Sequence, residues 1–383
     1  MKLFRHYFVP EGPPYIMSSE RDALPFDIEK DKWQLVNHLP EADIVPVGNI
    51  YLREDWVGQV AKLKEFGCTS RQLLLIMNIF DECDTYDWLH WYNEYSKFIR
   101  DEAGFKCVLL TNNKRDWRET HNQFLKIPYD LMFNRQKAYM TETDKFETGN
   151  RTYFYFECKN NFKLNPIQKL GDISERKIAL CPNRIMKLNA RSGLRRILRL
   201  FMENKSVILS DPTHGYLLEP EDANMTELMK STDNNGSGLW MPIANRYYEQ
   251  TYISMYIETC TISDPFHKGV KNPHQSVTEK TFDPLIKGHF ILPFGYAGII
   301  RDIKDYGFKL PHWINYTYDD IECDRHRFAA FLEEADRLLK LPLSVIENYY
   351  VQDFEMLIHN RQLFWSKPYV PLYDQVLDRF NKM

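Results

Sequence analysis

Short apolar runs alternate with helix-like stretches through the first half of the chain. The apolar runs cover 73–77, 107–110 and 131–133, and the helix-like stretches cover 55–66, 86–102 and 115–126. A short apolar run bounded by polar residues is typical of a buried strand, and strands that alternate with helices form parallel sheets covered on both faces. The first half therefore predicts an α/β lobe.

The second half repeats this alternation and then becomes helical. Strands are predicted at 177–181, 207–209, 252–258 and 289–293, and helices at 191–202, 279–287, 325–340, 343–362 and from about 370 to the end. Pro342 ends the helix before it, because a residue that precedes proline is pushed out of the helical conformation. A second α/β lobe with a helical tail is therefore predicted.

These elements predict three regions. We expect a Rossmann-like lobe over 1–170, a second one over 171–342, and helices over 343–383 that cross back and brace the first lobe. Two open parallel sheets that face each other leave a cleft, and ligands of such sheets bind outside the carboxyl ends of the strands. The binding site is therefore expected between the lobes.

Composition agrees with two folded lobes and argues against a general affinity for polyanions. The chain has 383 residues, of which 44% are hydrophobic. It contains 49 Lys and Arg and 53 Asp and Glu, which gives a net charge of -4. Such a chain has no global positive field that would attract nucleic acid or a membrane, so a partner of that kind must meet a local patch. The 14% of aromatic residues fits a heavy aromatic core as well as stacking surfaces.

The cysteines indicate a reducing compartment. Seven Cys are widely spaced, with no CxxC pair and no cluster of zinc-ligand spacing, so we interpret them as reduced and mostly buried thiols. The first residues contain no long apolar segment, and no run approaches the roughly 20 apolar residues that span a bilayer. We expect a cytoplasmic protein without membrane insertion.

Candidate chemistry begins at Thr278, Glu279 and Lys280, which start a predicted helix. A helix N-terminus offers N–H groups and a positive dipole end to a phosphate. Thr278 and Lys280 add a hydroxyl and a cation, and the Glu279 carboxylate is placed to accept hydrogen bonds from a ribose diol. A capped surface helix with an ordinary Glu-Lys pair accounts for the same spacing.

The longer block around these residues resembles a glycosyltransferase motif. Residues 278–308 read TEKTFDPLIKGHFILPFGYAGIIRDIKDYGF. This is similar to the form T-E-K-x-[WF]-x-P of many viral and bacterial glycosyltransferases, and to the sugar-nucleotide site of fucosyltransferase-like enzymes. The carboxylate that precedes the motif in those enzymes corresponds to Glu258. Downstream, 314–320 and then Arg325 or Arg327 resemble the segment that usually trails the motif, although Asn315 and Tyr316 replace its acidic pair.

A second stretch, 178–184, resembles the L-x-x-N-R element of the same enzymes, with Arg191 at the start of the next helix. The resemblance implies that Asn183, Arg184 and Arg191 bind the donor. An Arg fork takes two phosphate oxygens at once and neutralises a diphosphate leaving group without a metal ion. A basic helix face is the alternative, because further arginines follow over 195–199.

The resemblance implies a metal-independent hexosyl- or pentosyltransferase of the GT-B type, with the nucleotide sugar as co-substrate and no cofactor. The first lobe would hold the acceptor and supply the general base. Candidates are Asp81, Glu82 and Asp84, which follow a predicted strand. A solvated acidic loop explains them equally well. No metal site is predicted, and the histidines at 267, 274 and 289 are interpreted as structural or acceptor-facing.

The acceptor stays open between a glycan and a hydroxymethylated base in phage-type DNA. Lys114, Arg115 and Arg118 lie near the tryptophans at 88, 91 and 117, which are suited to hold or replace a flipped base, whereas the net charge argues against DNA. A non-catalytic binding or scaffold protein that keeps the fold is the alternative to an enzyme. The resemblance places the protein in the cytoplasm of a bacterial or virus-infected cell.

Overall fold

A computed structural model provides the coordinates, and the structure describes residues 1–4, 32–48, 56–78, 94–111, 126–128, 146–148, 151–153, 176–181, 206–208, 248–258, 277–367 and 372–383. The chain divides into two compact units. The first comprises Met1–Lys159, His274–Ser276 and Pro368–Met383, and the second comprises Asn160–Pro273 and Val277–Lys367.

A six-stranded parallel sheet forms the centre of the first unit, in the order β2-β1-β3-β4-β5-β6. Its strands are β1 Lys2–Phe4, β2 Gln34–Val36, β3 Ile44–Gly48, β4 Leu73–Asn78, β5 Lys106–Thr111 and β6 Lys126–Pro128. The predicted strands at 73–77 and 107–110 are confirmed as β4 and β5. Helix α1, Trp56–Glu65, confirms the helix predicted at 55–66, and residues 94–102 are helical, with a π-helix over Phe98–Glu102.

Several elements of this unit differ from the prediction. β1, β2 and β6 were not predicted, because they are three residues long and lie outside the continuous apolar runs, and β6 begins where the helix at 115–126 was predicted to end. β3 contains Pro46, and proline normally argues against a strand inside a sheet. It is tolerated because Asp43 bonds to Leu73 of β4, so by alternation Pro46 faces the opposite side, where the described pairing of β3 with β1 is confined to Ile44. The strand predicted at 131–133 lies outside the described residues.

The second unit contains a four-stranded parallel sheet in the order β10-β9-β11-β12. Its strands are β9 Ala179–Cys181, β10 Ser206–Ile208, β11 Ile253–Ile257 and β12 Phe290–Phe294. They confirm the four strands predicted for this half. Every residue of β11 and β12 is buried, as expected for strands of a parallel sheet. A separate antiparallel hairpin joins β7, Phe146–Thr148, to β8, Arg151–Tyr153.

Helices surround the second sheet. They are α2 Glu279–Ile286, α3 Ile299–Asp305, α4 Asp324–Lys340, α5 Leu343–Gln352 and α6 Phe354–Ser366, and α7 Leu372–Lys382 follows in the first unit. The helices predicted at 279–287, 325–340 and after 370 are confirmed, whereas the single helix predicted at 343–362 is two helices, α5 and α6, which are separated at Asp353. The helix predicted at 191–202 lies outside the described residues, and α3 was not predicted.

The placement of the last helices corrects one expectation. We expected all of 343–383 against the first lobe, but α5 and α6 pack in the core of the second unit through Ile346, Tyr350 and Leu357. The Tyr350 ring lies 5.4 Å from that of Tyr252 and 6.1 Å from that of Phe290, so aromatic packing holds α5 on this sheet. Of these three helices, α7 packs on the first sheet, through Leu372 and Val376.

Both units are therefore α/β with parallel sheets, as predicted. The arrangement of two lobes across a cleft stays a prediction. Within the described part of the chain, none of the helices combines the length and the apolar character needed to cross a bilayer.

Candidate functional site

The carboxyl ends of β11 and β12 lie side by side and form the candidate site. Ile257 of β11 is paired with Phe294 of β12 in a parallel register, and the backbone N–H of Glu258 donates to the Phe294 carbonyl at 2.9 Å. Glu258 and Gly295 therefore start two adjacent loops. Ligands of parallel α/β sheets bind at such carboxyl ends.

Glu258 is fully buried and accepts hydrogen bonds from the first turn of α2. Its Oε1 accepts from the Thr278 backbone N–H at 3.2 Å and from the Thr281 hydroxyl at 2.9 Å, and its Oε2 accepts from the Thr278 hydroxyl. A buried carboxylate is costly unless hydrogen bonds replace its water shell. These three donors replace it, so Glu258 fastens the start of α2 to the end of β11.

Thr278 is the N-cap residue of α2. Its backbone is extended, with φ -109° and ψ -177°, and its hydroxyl oxygen accepts from the Lys280 backbone N–H at 3.3 Å. Serine, threonine, aspartate and asparagine are favoured at this position because their oxygens satisfy an N–H that has no partner within the helix. The same hydroxyl donates to Glu258, so one side chain caps the helix and binds the strand.

Tyr256 extends the network below Thr281. The two hydroxyl oxygens are 2.6 Å apart, and because Thr281 donates to Glu258, Tyr256 donates to Thr281. Burial, reinforced by the charge of Glu258, raises the pKa of Tyr256 well above its usual value. Tyr256 therefore stays protonated and remains a donor across the physiological pH range.

A second loop, between β12 and α3, lies at the same edge. Gly298 begins α3 with φ +93°, a left-handed conformation that glycine adopts without strain. Asp319 holds this loop: its carbonyl accepts from the Gly298 N–H at 3.3 Å and its Oδ2 from the Ile300 N–H at 2.9 Å. Its buried Oδ1 has no hydrogen-bond partner among the described residues. Burial raises the pKa of Asp319 to about 6, although those N–H groups and the Arg327 charge oppose the rise.

The structure brings some of the predicted site residues together. Glu258 and Thr278 are in direct contact, and Lys280 follows as the second residue of α2, with its side chain partly buried. Glu279 is the first residue of α2, and its side chain is outside the described residues. The other predicted residues also lie outside them, namely Asn183, Arg184 and Arg191 for the donor and Asp81, Glu82 and Asp84 for the base.

His289 has a structural role. Its Nε2 is 2.8 Å from the Tyr248 carbonyl oxygen, which can only accept, so Nε2 carries the proton and Nδ1 accepts from the Ser254 hydroxyl at 3.0 Å. The side chain is buried near the amino end of β11, away from the candidate site. His267 and His274 lie outside the described residues. Where the structure describes the chain, no group of three His, Cys, Asp or Glu side chains is placed to hold a metal ion.

Sequence reasoning missed Tyr256, Thr281 and Asp319. The spacing of Thr281, three positions after Thr278, was a usable signal, because residues three apart share one face of a helix. Tyr256 precedes Glu258 by two positions in a strand, so both side chains point to the same face of the sheet. Asp319 gave no such signal, because its contact with the loop before α3 depends on tertiary packing.

Comparisons with known proteins show a distant similarity to solved structures. No protein-family model matches the sequence, and no curated protein matches it. Among solved structures, the crystal structure of an α1,3-fucosyltransferase is similar with a TM-score of 0.39 and 9% identity, over 97% of this chain and 93% of that one. A similarity of this size is too low to assign a function, and the α/β class stated above rests on the sheets of the chain itself.

Proposed function

We propose that the chain is a glycosyltransferase that moves a sugar from a nucleotide-activated donor to a hydroxyl acceptor. The donor diphosphate would bind at the first turn of α2. The observation that carries this proposal is the attachment of that turn to the carboxyl end of β11 through Glu258, Thr278 and Thr281. The helix N-terminus is held in place at this edge, and it presents its positive dipole end, together with the cation of Lys280, to an anion.

The hydrogen bonds of Glu258 and the charge of a diphosphate suggest roles for the other predicted site residues. Glu258 already accepts three hydrogen bonds from α2 inside the protein, so we propose that it positions the helix, and that Glu279 meets the ribose. Lys280 supplies one positive charge, which does not neutralise a diphosphate. Arg184 and Arg191 would complete the neutralisation through bidentate contacts, without a metal ion or a cofactor.

The proposed reaction breaks the bond between the anomeric carbon and the diphosphate oxygen and forms a bond from that carbon to the acceptor oxygen. The diphosphate leaves with the bonding electron pair, and the acceptor hydroxyl loses its proton to a carboxylate. Asp84, Glu82 and Asp81 are the proposed candidates for this general base. Replacing each by its amide should lower kcat while leaving the Kd of the donor unchanged if the residue acts as base.

Thermal unfolding in the presence of nucleotides tests the donor site. Uridine and guanosine diphosphates, and sugars linked to them, are titrated into the purified chain. At least one should raise Tm in a saturable way, since a ligand at one hundred times its Kd stabilises the folded state by about 2.7 kcal/mol. Lys280→Gln should weaken this binding, whereas Lys340→Gln, a lysine paired with Asp336 on α4, should not. Absence of any shift at millimolar nucleotide would overturn the proposal.

Turnover and its salt dependence then separate the remaining alternatives. Binding of a nucleotide sugar without transfer to glycans or to hydroxymethylated DNA would identify a binding protein instead of an enzyme. If DNA carries the acceptor, affinity for it should fall steeply between 50 and 200 mM salt, because phosphate contacts release counterions. A saccharide acceptor predicts an affinity that hardly changes over the same range.

A further inference from the structure

Arg327 is a buried arginine that joins several backbone segments at the edge of the second sheet. Its Nη2 donates to the Gly295 carbonyl at 3.3 Å and contacts the Asp324 carboxylate. Its Nη1 donates to the carbonyls of Ile321 at 2.8 Å and Glu322 at 3.3 Å. A planar guanidinium with donors in a fixed fork suits this task, because several acceptors in different directions must be met from one buried position.

The Gly295 carbonyl connects this arginine to the candidate donor site. Gly295 follows Phe294, whose carbonyl accepts the backbone N–H of Glu258 at 2.9 Å. The Arg327 guanidinium also lies over the Phe294 ring, 5.5 Å from its centroid. Arg327 therefore contacts the end of β12 through a hydrogen bond and a ring. The end of β12 binds the backbone of Glu258, whose side chain binds the first turn of α2.

We infer that Arg327 is a positioning residue for the donor site, an inference that rests on the proposed function. It touches neither Glu258 nor α2 within the contacts described above. It fixes the position of the carboxyl end of β12. Through the bond between Phe294 and Glu258, this end fixes the position of the Glu258 carboxylate relative to Thr278. The small displacements that follow from loosening such a support are enough to weaken binding of an oriented ligand.

Arg337 offers a control on the same helix, with a side chain that is 46% exposed where that of Arg327 is 2% exposed. Like Arg327, it pairs with an acidic residue three positions earlier, Glu334, and donates to a backbone carbonyl, that of Trp313 at 2.7 Å. Trp313 packs against Phe290, the first residue of β12, with ring centroids 5.0 Å apart. Arg337 thus supports the amino end of the strand whose carboxyl end Arg327 supports.

The test compares Arg327→Lys with Arg337→Lys, since lysine keeps the charge and loses the fork. Calorimetry measures the Kd for guanosine and uridine diphosphate, and hydrogen exchange measures protection of residues 253–258 and 278–282 in the unliganded proteins. Arg327→Lys should raise the Kd about tenfold and speed exchange in both segments. Arg337→Lys should leave Kd within about twofold and exchange in those segments unchanged, even where its Tm falls.

The two failures are distinguishable. If the wild-type chain binds neither diphosphate, the proposed function is wrong, and the exchange data alone decide the role of Arg327: faster exchange in both segments supports it and unchanged exchange overturns it. If the wild type binds, an equal loss of affinity in both variants shows general destabilisation and overturns the inference. An unchanged Kd in Arg327→Lys also overturns it.

Discussion

The hydroxyl of Thr281 donates a hydrogen bond of 2.9 Å to the Oε1 atom of Glu258, across 23 positions of the chain. This bond joins the third residue of a helix to the carboxyl end of a central strand. Together with the bonds from Thr278, it makes the N-terminus of α2 part of the sheet edge. The orientation of this helix end is therefore determined by packing in the core, which is the property that a donor site requires.

Removing the Thr278 hydroxyl should destabilise the protein. Thr278→Ala deletes both the helix cap and a donor to the buried Glu258, so we expect a loss of about 1 to 3 kcal/mol in the free energy of unfolding. Thr278→Ser keeps the hydroxyl and should lose about 1 kcal/mol or less. Urea unfolding measures both values.

Thr317→Ala is the control for this series, because the Thr317 hydroxyl binds Asn315 at an exposed position. It should change stability by less than about 0.5 kcal/mol. Equal effects of alanine at positions 278 and 317 would contradict the role assigned to the Thr278 hydroxyl.

Asp319 should make stability depend on pH in the acidic range. Its pKa is raised by burial from the usual 3.8 to about 6, so between these values the folded state holds a proton that the unfolded state has released. Stability from this group is therefore present below pH 3.8 and is lost as pH rises through 6, by at most about 3 kcal/mol. Asp319→Asn cannot titrate, so its free energy of unfolding should lack this pH-dependent contribution.

Other carboxyl groups titrate in the same range, so the informative quantity is the difference between the wild type and Asp319→Asn. Denaturant unfolding at half-unit steps from pH 4 to 7 measures it. The wild type should lose stability relative to the variant as pH rises, with most of the change complete by pH 7. Two parallel stability profiles would show that Asp319 does not titrate differently in the folded state.

The described cysteines should differ in their reactivity. Cys323 is exposed at the start of α4, whereas Cys68, Cys107 and Cys181 are buried. Burial also raises the pKa of Cys68 and of Cys107 to about 12, which suppresses the reactive thiolate. A short pulse of iodoacetamide at pH 8, followed by peptide mass spectrometry, should therefore label Cys323 well before these three. Denatured protein is the control, because all seven cysteines should react alike in it. Equal labelling of Cys68 and Cys323 in the folded protein would contradict the burial of Cys68.

Sequence patterns predicted the strands that lie in continuous apolar runs and missed those that do not. β4 and β5 were predicted because continuous apolar runs identify strands that are buried on both faces. β1 and β2, each of three residues, carry too little pattern, and Pro46 in β3 argued against a strand that the sheet accommodates. The local sequence is enough to identify β4 and β5, whereas β1, β2 and β3 form strands because of their pairing in the sheet.

The candidate site shows the same division. Thr278 was predicted at the start of α2 from local helix signals, and the structure places it there. The depth of Glu258 and its contact with Thr281 depend on how α2 packs on β11, which spacing does not reveal. The burial of Arg327 could not be predicted from spacing either, because a buried arginine in a charged helix has the same local sequence pattern as a solvent-exposed one. The convergence of Arg184 and Arg191 on this site stays a prediction.

Hydrogen exchange of the wild-type chain, with and without a saturating nucleoside diphosphate, tests most directly whether the donor binds at the first turn of α2. Binding there should slow exchange of the backbone amides of 278–282, because a bound diphosphate would stabilise the first turn of α2 and suppress its opening. Slower exchange in this segment, abolished by Lys280→Gln and kept in Lys340→Gln, is the result we predict. Saturable binding that protects other segments and leaves 278–282 unchanged would contradict the account.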